Sequence, residues 1–280
     1  MKKFKIGIQL YGLRNAMAAD FEGTLKAVAD MGYEYVEFAG YHGKTKEEIK
    51  EVLDKFGLKC ISVHQSLDFY NEDPVGKMEY LKHFGVKYSI IPWYNKDELA
   101  GGEKWNETAE KFKNAAKMLY ENGMLLGYHN HDFEFTNSYD GKTLHDHIVE
   151  AIPAEMFEPQ FDTCWVHYAG INPVEKIHEF SGRVTVVHLK DFVCKNLAGG
   201  PVYALIDTDG NSKGGGDRNE SGFEYRPLGQ GLQDVKAILE ACEECGTEYV
   251  IVEQDEPSLD MSELECAKAS RDYLRDSFGI

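Results

Sequence analysis

Four residues able to bind a hard or borderline metal recur along the chain: Glu134 in YHNHDFEF, Asp162 in QFDTCW, His188 in VVHLKD and Glu253 in IVEQDEP. Asp162 lies 28 residues past Glu134 and His188 lies 26 past Asp162, one strand-helix unit each time, while Glu253 follows one unit plus an insertion. Each is therefore expected just at or beyond the end of its own strand. Three carboxylates and one imidazole make a mixed oxygen and nitrogen set suited to one divalent ion, Mn²⁺ first, with Co²⁺, Mg²⁺ or Zn²⁺ as alternatives. The apolar lead-ins VTVV and YVIV place His188 and Glu253 directly after buried β-branched runs. An uncompensated charge is costly there, so metal or hydrogen bonds must offset it.

The tract Tyr128 to Glu134 holds two more imidazoles. Alternation along a strand puts His129 and His131 on one face and Asn130 on the other, until the chain turns before Glu134. An imidazole beside a metal-bound sugar can take or give a proton near neutral pH, which makes His131 a candidate general base and His129 a substrate contact. His64, Trp165 and Lys190 stand at comparable strand ends. An aromatic ring there can stack on a sugar face and a lysine can polarise a carbonyl, so these three join His129 as expected substrate contacts. Gln9, Tyr11, Glu37 and Trp93 are weaker positions of the same kind, and His145 and His147 read as ordinary helix-face residues.

Positioning these groups requires strands alternating with helices, and the chain supplies them. Strands are expected at 5–11, 35–40, 59–65, 87–93, 124–130, 157–162, 183–189 and 249–254, separated by amphipathic stretches several of which end in Gly (Gly32, Gly57, Gly123, Gly246) where a helix C-cap belongs. Near-continuous apolar strands alternating with helices mean parallel strands covered on the outside, and eight such units close an α/β (β/α)8 TIM barrel, with a doubly wound open sheet as the alternative. No linker divides residues 1–280, so one domain is expected. The longest gap between strands, from about Cys194 to Gly231, is rich in Gly, Asn and Asp and reads as a long loop inserted after strand 7, on the barrel face where active sites are built, with a lid role.

Composition excludes other classes. With 48 acidic and 30 basic residues the formal net charge is −18, which opposes nucleic acid and anionic lipid. No apolar run reaches the roughly 18 residues of a membrane span, and the N-terminus turns polar before a signal-peptide core forms, so a cytoplasmic protein with no membrane partner is expected. Six scattered cysteines read as reduced thiols. The Cys242–Cys245 pair, inside a helical pattern and without a second pair elsewhere, reads as buried helix rather than a metal or redox motif. Phosphate-binding and serine-hydrolase motifs are absent.

The segments IGIQLYGLR, GYEYVEFAGYHGKT, LGYHNHDFEF, FDTCWVHYAG, GRVTVVHLKDF and IVEQDEP together resemble the sugar phosphate isomerase/epimerase group of the xylose-isomerase-like barrel superfamily, nearly end to end. The resemblance implies one divalent metal held by Glu134, Asp162, His188 and Glu253, with Glu134, Glu253 and His131 as catalytic groups and Glu253 or His131 as the base. In many isomerases of the superfamily the first glutamate lies on the fifth strand itself. Here that strand carries His129 or His131, with Glu134 beyond, so a histidine in the first place is the alternative ligand set.

The activity implied is a metal-dependent sugar or sugar phosphate isomerase or epimerase, removing a proton next to a carbonyl through a metal-stabilised enediolate. The alternative is a dehydratase or lyase on an inosose or 3-keto-glycoside, using the same site. The expected partner is a small carbohydrate, and assembly into a homo-oligomer stays open.

Overall fold

The computed structural model describes residues 4–70, 73–197 and 221–280. Eight parallel strands form a closed barrel: β1 (Lys5–Gln9), β2 (Tyr35–Ala39), β3 (Lys59–His64), β4 (Tyr88–Ile91), β5 (Leu125–His129), β6 (Phe157–Asp162), β7 (Val186–Leu189) and β8 (Tyr249–Val252). Each pairs with its sequence neighbours and β8 closes on β1, which excludes the open sheet. All eight expected strands are present. β1 stops earlier than its apolar run because the Gln9 side chain accepts the Tyr11 N–H at 3.0 Å and starts a 3₁₀ turn.

Helices wall the outside because their apolar residues recur at helical spacing. Along Trp105–Glu121, the longest helix among the described residues, the buried residues are Thr108, Ala109, Phe112, Ala115, Ala116 and Leu119. The helix Lys46–Phe56 begins with a reciprocal Thr45–Glu48 capping box and stops at Gly57, whose φ of 71° suits glycine. Cys242 and Cys245 are buried in the helix Val235–Cys245, and neither belongs to a group of potential metal ligands among the described residues. None of the helices described is long and apolar enough to cross a membrane.

Inside the barrel a separate apolar cluster of Ile61, Tyr88, Ile90, Val186, Tyr249 and Ile251, with Tyr35 and Leu125 against it, plugs the lower end. Side chains alternate along a strand, so the residue two further on shares the same inward face. Tyr35 is followed by Glu37, Val186 by His188 and Ile251 by Glu253. Leu125 is followed by Gly127 and His129. A Cβ on Gly127 would come within 2.9 Å of the Glu158 carbonyl oxygen and would also strike the Ile90 methyl, so β5 carries no side chain at this level.

The stretch expected as one long loop, from about Cys194 to Gly231, is entered from a short strand and holds another. Asp191–Val193 pairs antiparallel with Glu224–Arg226. The Asp191 carboxylate accepts the backbone N–H groups of Phe192 (2.9 Å), Gly229 (2.9 Å), Gly231 (3.0 Å) and Gln233 (3.1 Å), which ties the returning chain to the end of β7. Phe192, Phe223 and Tyr225 then pack on Cys164, Trp165 and Tyr168. The centre of that stretch, where the lid was placed, lies outside the described residues.

His145, expected as an ordinary helix-face residue, faces inward from the helix Leu144–Ala151. It is fully buried among the rings of Phe135, Phe161 and Phe180, and neither ring nitrogen has a hydrogen-bond partner among the described residues. Burial, helped by the Lys176 charge, lowers its pKa to about 3. The unfolded chain therefore binds a proton here that the folded chain refuses, and this site favours folding above about pH 6.5 and costs stability as pH falls toward 3. His145→Leu should gain about 2 kcal/mol relative to the parent between pH 7 and pH 4.5, read from urea midpoints at the two pH values. Parallel pH profiles would contradict the assignment.

Candidate metal centre

Glu37, on the inner face of β2, has no exposed surface. Its Oε1 accepts Gln9 Nε2 at 2.6 Å and His188 Nε2 at 2.6 Å, and its Oε2 accepts Gln160 Nε2 at 2.7 Å. His64 Nε2 lies 2.9 Å from Oε1. Burial alone would raise the Glu37 pKa, but the imidazoles of His64 and His188 hold it well below the usual carboxylate range.

That anion orients the two histidines above it. With Nε2 of His188 donating to Glu37, Nδ1 is left facing Glu253 Oε2 at 2.8 Å. Burial disfavours a charge on His188, yet Glu37 and Glu253 outweigh it and raise its pKa to about 10. Since Gln160 gives its Nε2 to Glu37, its Oε1 must accept, from His129 Nδ1 at 3.1 Å and His64 Nε2 at 3.0 Å. The His129 proton is thereby placed on Nδ1, and the bare Nε2 faces Asp162 Oδ2 at 3.5 Å and Glu253 Oε2 at 3.9 Å. Burial and the neighbouring His188 charge keep its pKa well below the usual value, so His129 is already neutral, whereas His188 would release its Nδ1 proton on taking a metal.

Asp162 is set by its own helix. Its Oδ1 caps Thr163–Tyr168 by accepting Cys164 N–H at 2.8 Å and Trp165 N–H at 3.4 Å, which turns Oδ2 toward the centre. One ligand atom each from His129, Asp162, His188 and Glu253 falls within a group in which all lie within 4.8 Å of one another, with all four residues buried. Two imidazoles and two carboxylates fit one divalent ion, and an imidazole in place of one carboxylate of the expected set favours Zn²⁺ over the oxygen-preferring Mg²⁺.

Glu134, expected as the first ligand, stands outside this group. It lies beyond β5 on the short helix Phe133–Thr136, where Oε1 accepts the Tyr128 hydroxyl at 2.7 Å and Oε2 accepts the His131 backbone N–H at 2.7 Å. Both oxygens are committed within its own turn, and it is His129 Nε2 that stands in the group with Asp162, His188 and Glu253. His131 sits beside it, its Nδ1 3.9 Å from Glu134 Oε1 and its ring 5.2 Å from that of His129 and 5.8 Å from that of Trp165.

Lys190 completes the electrostatics. Its buried ammonium lies 2.8 Å from Asp162 Oδ2, 2.9 Å from Glu253 Oε2 and 3.0 Å from Asp255 Oδ1, and Tyr225 donates to Asp255 Oδ2 at 2.6 Å. Burial raises the Glu253 pKa, but Lys190 and His188 prevail and hold it well below the normal range. Trp165 is fully buried, stacked on Phe223 with centroids 5.3 Å apart, and so shapes a wall rather than presenting an open face. Gln160, Asp255 and Tyr225 were not singled out from the sequence, and Glu37 was ranked only as a minor position. The inward alternation that places Glu37 among apolar neighbours on β2 was the available signal for it. Gln160 had the same signal on β6.

The chain belongs to the xylose isomerase-like TIM barrel family, whose model matches residues 25–277. It is similar to an inosose dehydratase of Clostridium beijerinckii, 22% identical over 307 aligned residues that span 100% of this chain and 99% of the relative. An inosose dehydratase of Geobacillus kaustophilus is 23% identical over 190 residues, 60% of this chain, and the match spans 61% of that relative's length. Among solved structures, a sugar phosphate isomerase/epimerase of Parabacteroides distasonis superposes with a TM-score of 0.73 at 23% identity, covering 97% of this chain and 98% of that one. The IolI protein solved with a bound zinc atom gives a TM-score of 0.68 at 15% identity, with 97% of each chain covered.

The competing ligand sets are separated by two variants. His129→Ala should lose bound metal, measured by inductively coupled plasma mass spectrometry after loading and desalting, whereas Glu134→Gln should keep it. Retention by the first together with loss by the second would restore Glu134 as the ligand.

Proposed function

We propose that the protein is a divalent-metal-dependent dehydratase acting on an inosose or a related keto-polyol, a lyase reaction that begins with proton removal next to a carbonyl. The observation that carries this is the cluster of His129, Asp162, His188 and Glu253. It sits at the carboxyl ends of the strands, where barrel enzymes of this kind do chemistry, in a chain whose full-length relatives include inosose dehydratases. The zinc atom in a structure of the same fold supports a metal in the reading.

A divalent ion held by these four residues would polarise the substrate carbonyl and acidify the adjacent C–H bond. His131 is assigned as the group that takes the proton, with Glu134 behind Nδ1 to steady the imidazolium that forms. Lys190, backed by Asp255 and Tyr225, is assigned to the substrate oxygen that leaves from the next carbon. The C–H and C–O bonds break, a carbon-carbon double bond forms, and the proton and hydroxide depart as water. Trp165 and His64 would shape the walls, and their neighbours exclude water. Proton return without loss of a group is isomerisation or epimerisation, the activity implied by the sequence resemblance. The full-length dehydratase relatives shift the proposal to elimination.

Incubating the metal-loaded protein with inososes, ketoses and 3-keto-glycosides in D₂O, followed by NMR, tests this. A new double bond with loss of water from an inosose is expected, and His131→Asn should retain metal while turnover falls roughly 10²- to 10⁴-fold. Deuterium exchange at an α-carbon with no group lost would instead make the enzyme an isomerase or epimerase.

A further inference from the structure

Lys190 touches the same oxygens that a metal would use. Its ammonium is 2.8 Å from Asp162 Oδ2 and 2.9 Å from Glu253 Oε2. Those two atoms also face His129 Nε2, and Glu253 Oε2 faces His188 Nδ1. The lysine is 1% exposed, so its charge is neither diluted by solvent nor able to leave for it. Among the described residues it also meets Asp255 Oδ1 at 3.0 Å, a carboxylate outside the four-residue group that is aimed by the Tyr225 hydroxyl on its other oxygen. The rings of Trp165 and Tyr225 flank the ammonium, with centroids 5.3 and 5.7 Å from Nζ, and add a cation-stabilising surface that no metal ligand shares.

We infer that Lys190 is an internal counter-cation that competes with the divalent ion for Asp162 and Glu253, lowering the affinity of the centre, and that Asp255 with the two aromatic rings is where it rests when the ion is held. This rests on the metal-centre reading above. The physical ground is repulsion between like charges a few ångströms apart in a buried site, where screening is weak. Resting on Asp255, the ammonium keeps a carboxylate partner and stays close, so the arrangement trades metal affinity for a cation poised beside the substrate.

The test is the dissociation constant for Mn²⁺, read from the free-ion electron paramagnetic resonance signal, on wild type, Lys190→Met, Lys190→Gln and Lys190→Arg. The neutral variants should bind roughly 10- to 100-fold more tightly than wild type, and Lys190→Arg should stay close to it. In thermal melts the Mn²⁺-induced rise in Tm should be larger for the neutral variants than for wild type, because without metal they hold unbalanced buried carboxylates. Neutral variants that bind equally or more weakly overturn the inference and leave the metal centre intact. So does a failure of both to fold even with Mn²⁺ present, since the ion should replace the missing charge. A wild-type protein that takes up neither Mn²⁺ nor Zn²⁺ overturns the metal centre itself.

Discussion

A carboxylate with no exposed surface stands at the root of the centre. Burying Glu37 as an anion costs several kcal/mol unless its oxygens are fully engaged, and here Gln9, Gln160, His64 and His188 engage them. Each of those partners is thereby turned. His188 gives one nitrogen to Glu37 and presents the other to Glu253, and Gln160 gives its amide nitrogen and so must accept from His129. The orientation of both imidazoles follows from one buried charge reaching across the barrel interior from β2, which is how outer hydrogen bonds tune metal ligands elsewhere.

The barrel makes that charge tenable. The apolar cluster below it closes the interior, so every polar group on the next inward level is held between a dry floor and the loops above. Residues on that level come from β1, β2, β3, β5, β6, β7 and β8, and no single element can move without breaking several buried hydrogen bonds. Asp191 extends the same principle upward. By collecting four backbone N–H groups it fixes the hairpin that carries Tyr225, and through Tyr225 the position of Asp255 next to Lys190.

Much of this was legible from residue types and spacing. The eight strands, the closed barrel and the mouth positions of Asp162, His188 and Glu253 follow from apolar runs of strand length at regular intervals. Spacing counts residues along the chain and does not show which way a turn faces, so the place of Glu134 outside the four-residue group was not legible in it. Two short bonds, from the Tyr128 hydroxyl and the His131 N–H, decide its direction, and neither has a signature in composition. Glu37 and Gln160 matter through each other, across strands 123 residues apart, so their pairing emerges only once the barrel closes. His145 read only as a helix-face residue because a capped, amphipathic turn allows either face for a histidine, and three phenylalanines from separate elements settle which.

The central claim is that Glu37 aims two histidines at one metal that Glu134 does not touch. Anomalous diffraction at the Mn or Zn edge from metal-soaked crystals measures this directly. One peak is predicted, within bonding distance of His129 Nε2, Asp162, His188 Nδ1 and Glu253, with Glu37 still hydrogen-bonded to His188 Nε2 and outside the coordination sphere. A peak bonded to Glu134 with His129 outside it, or to Glu37 itself, would contradict the claim.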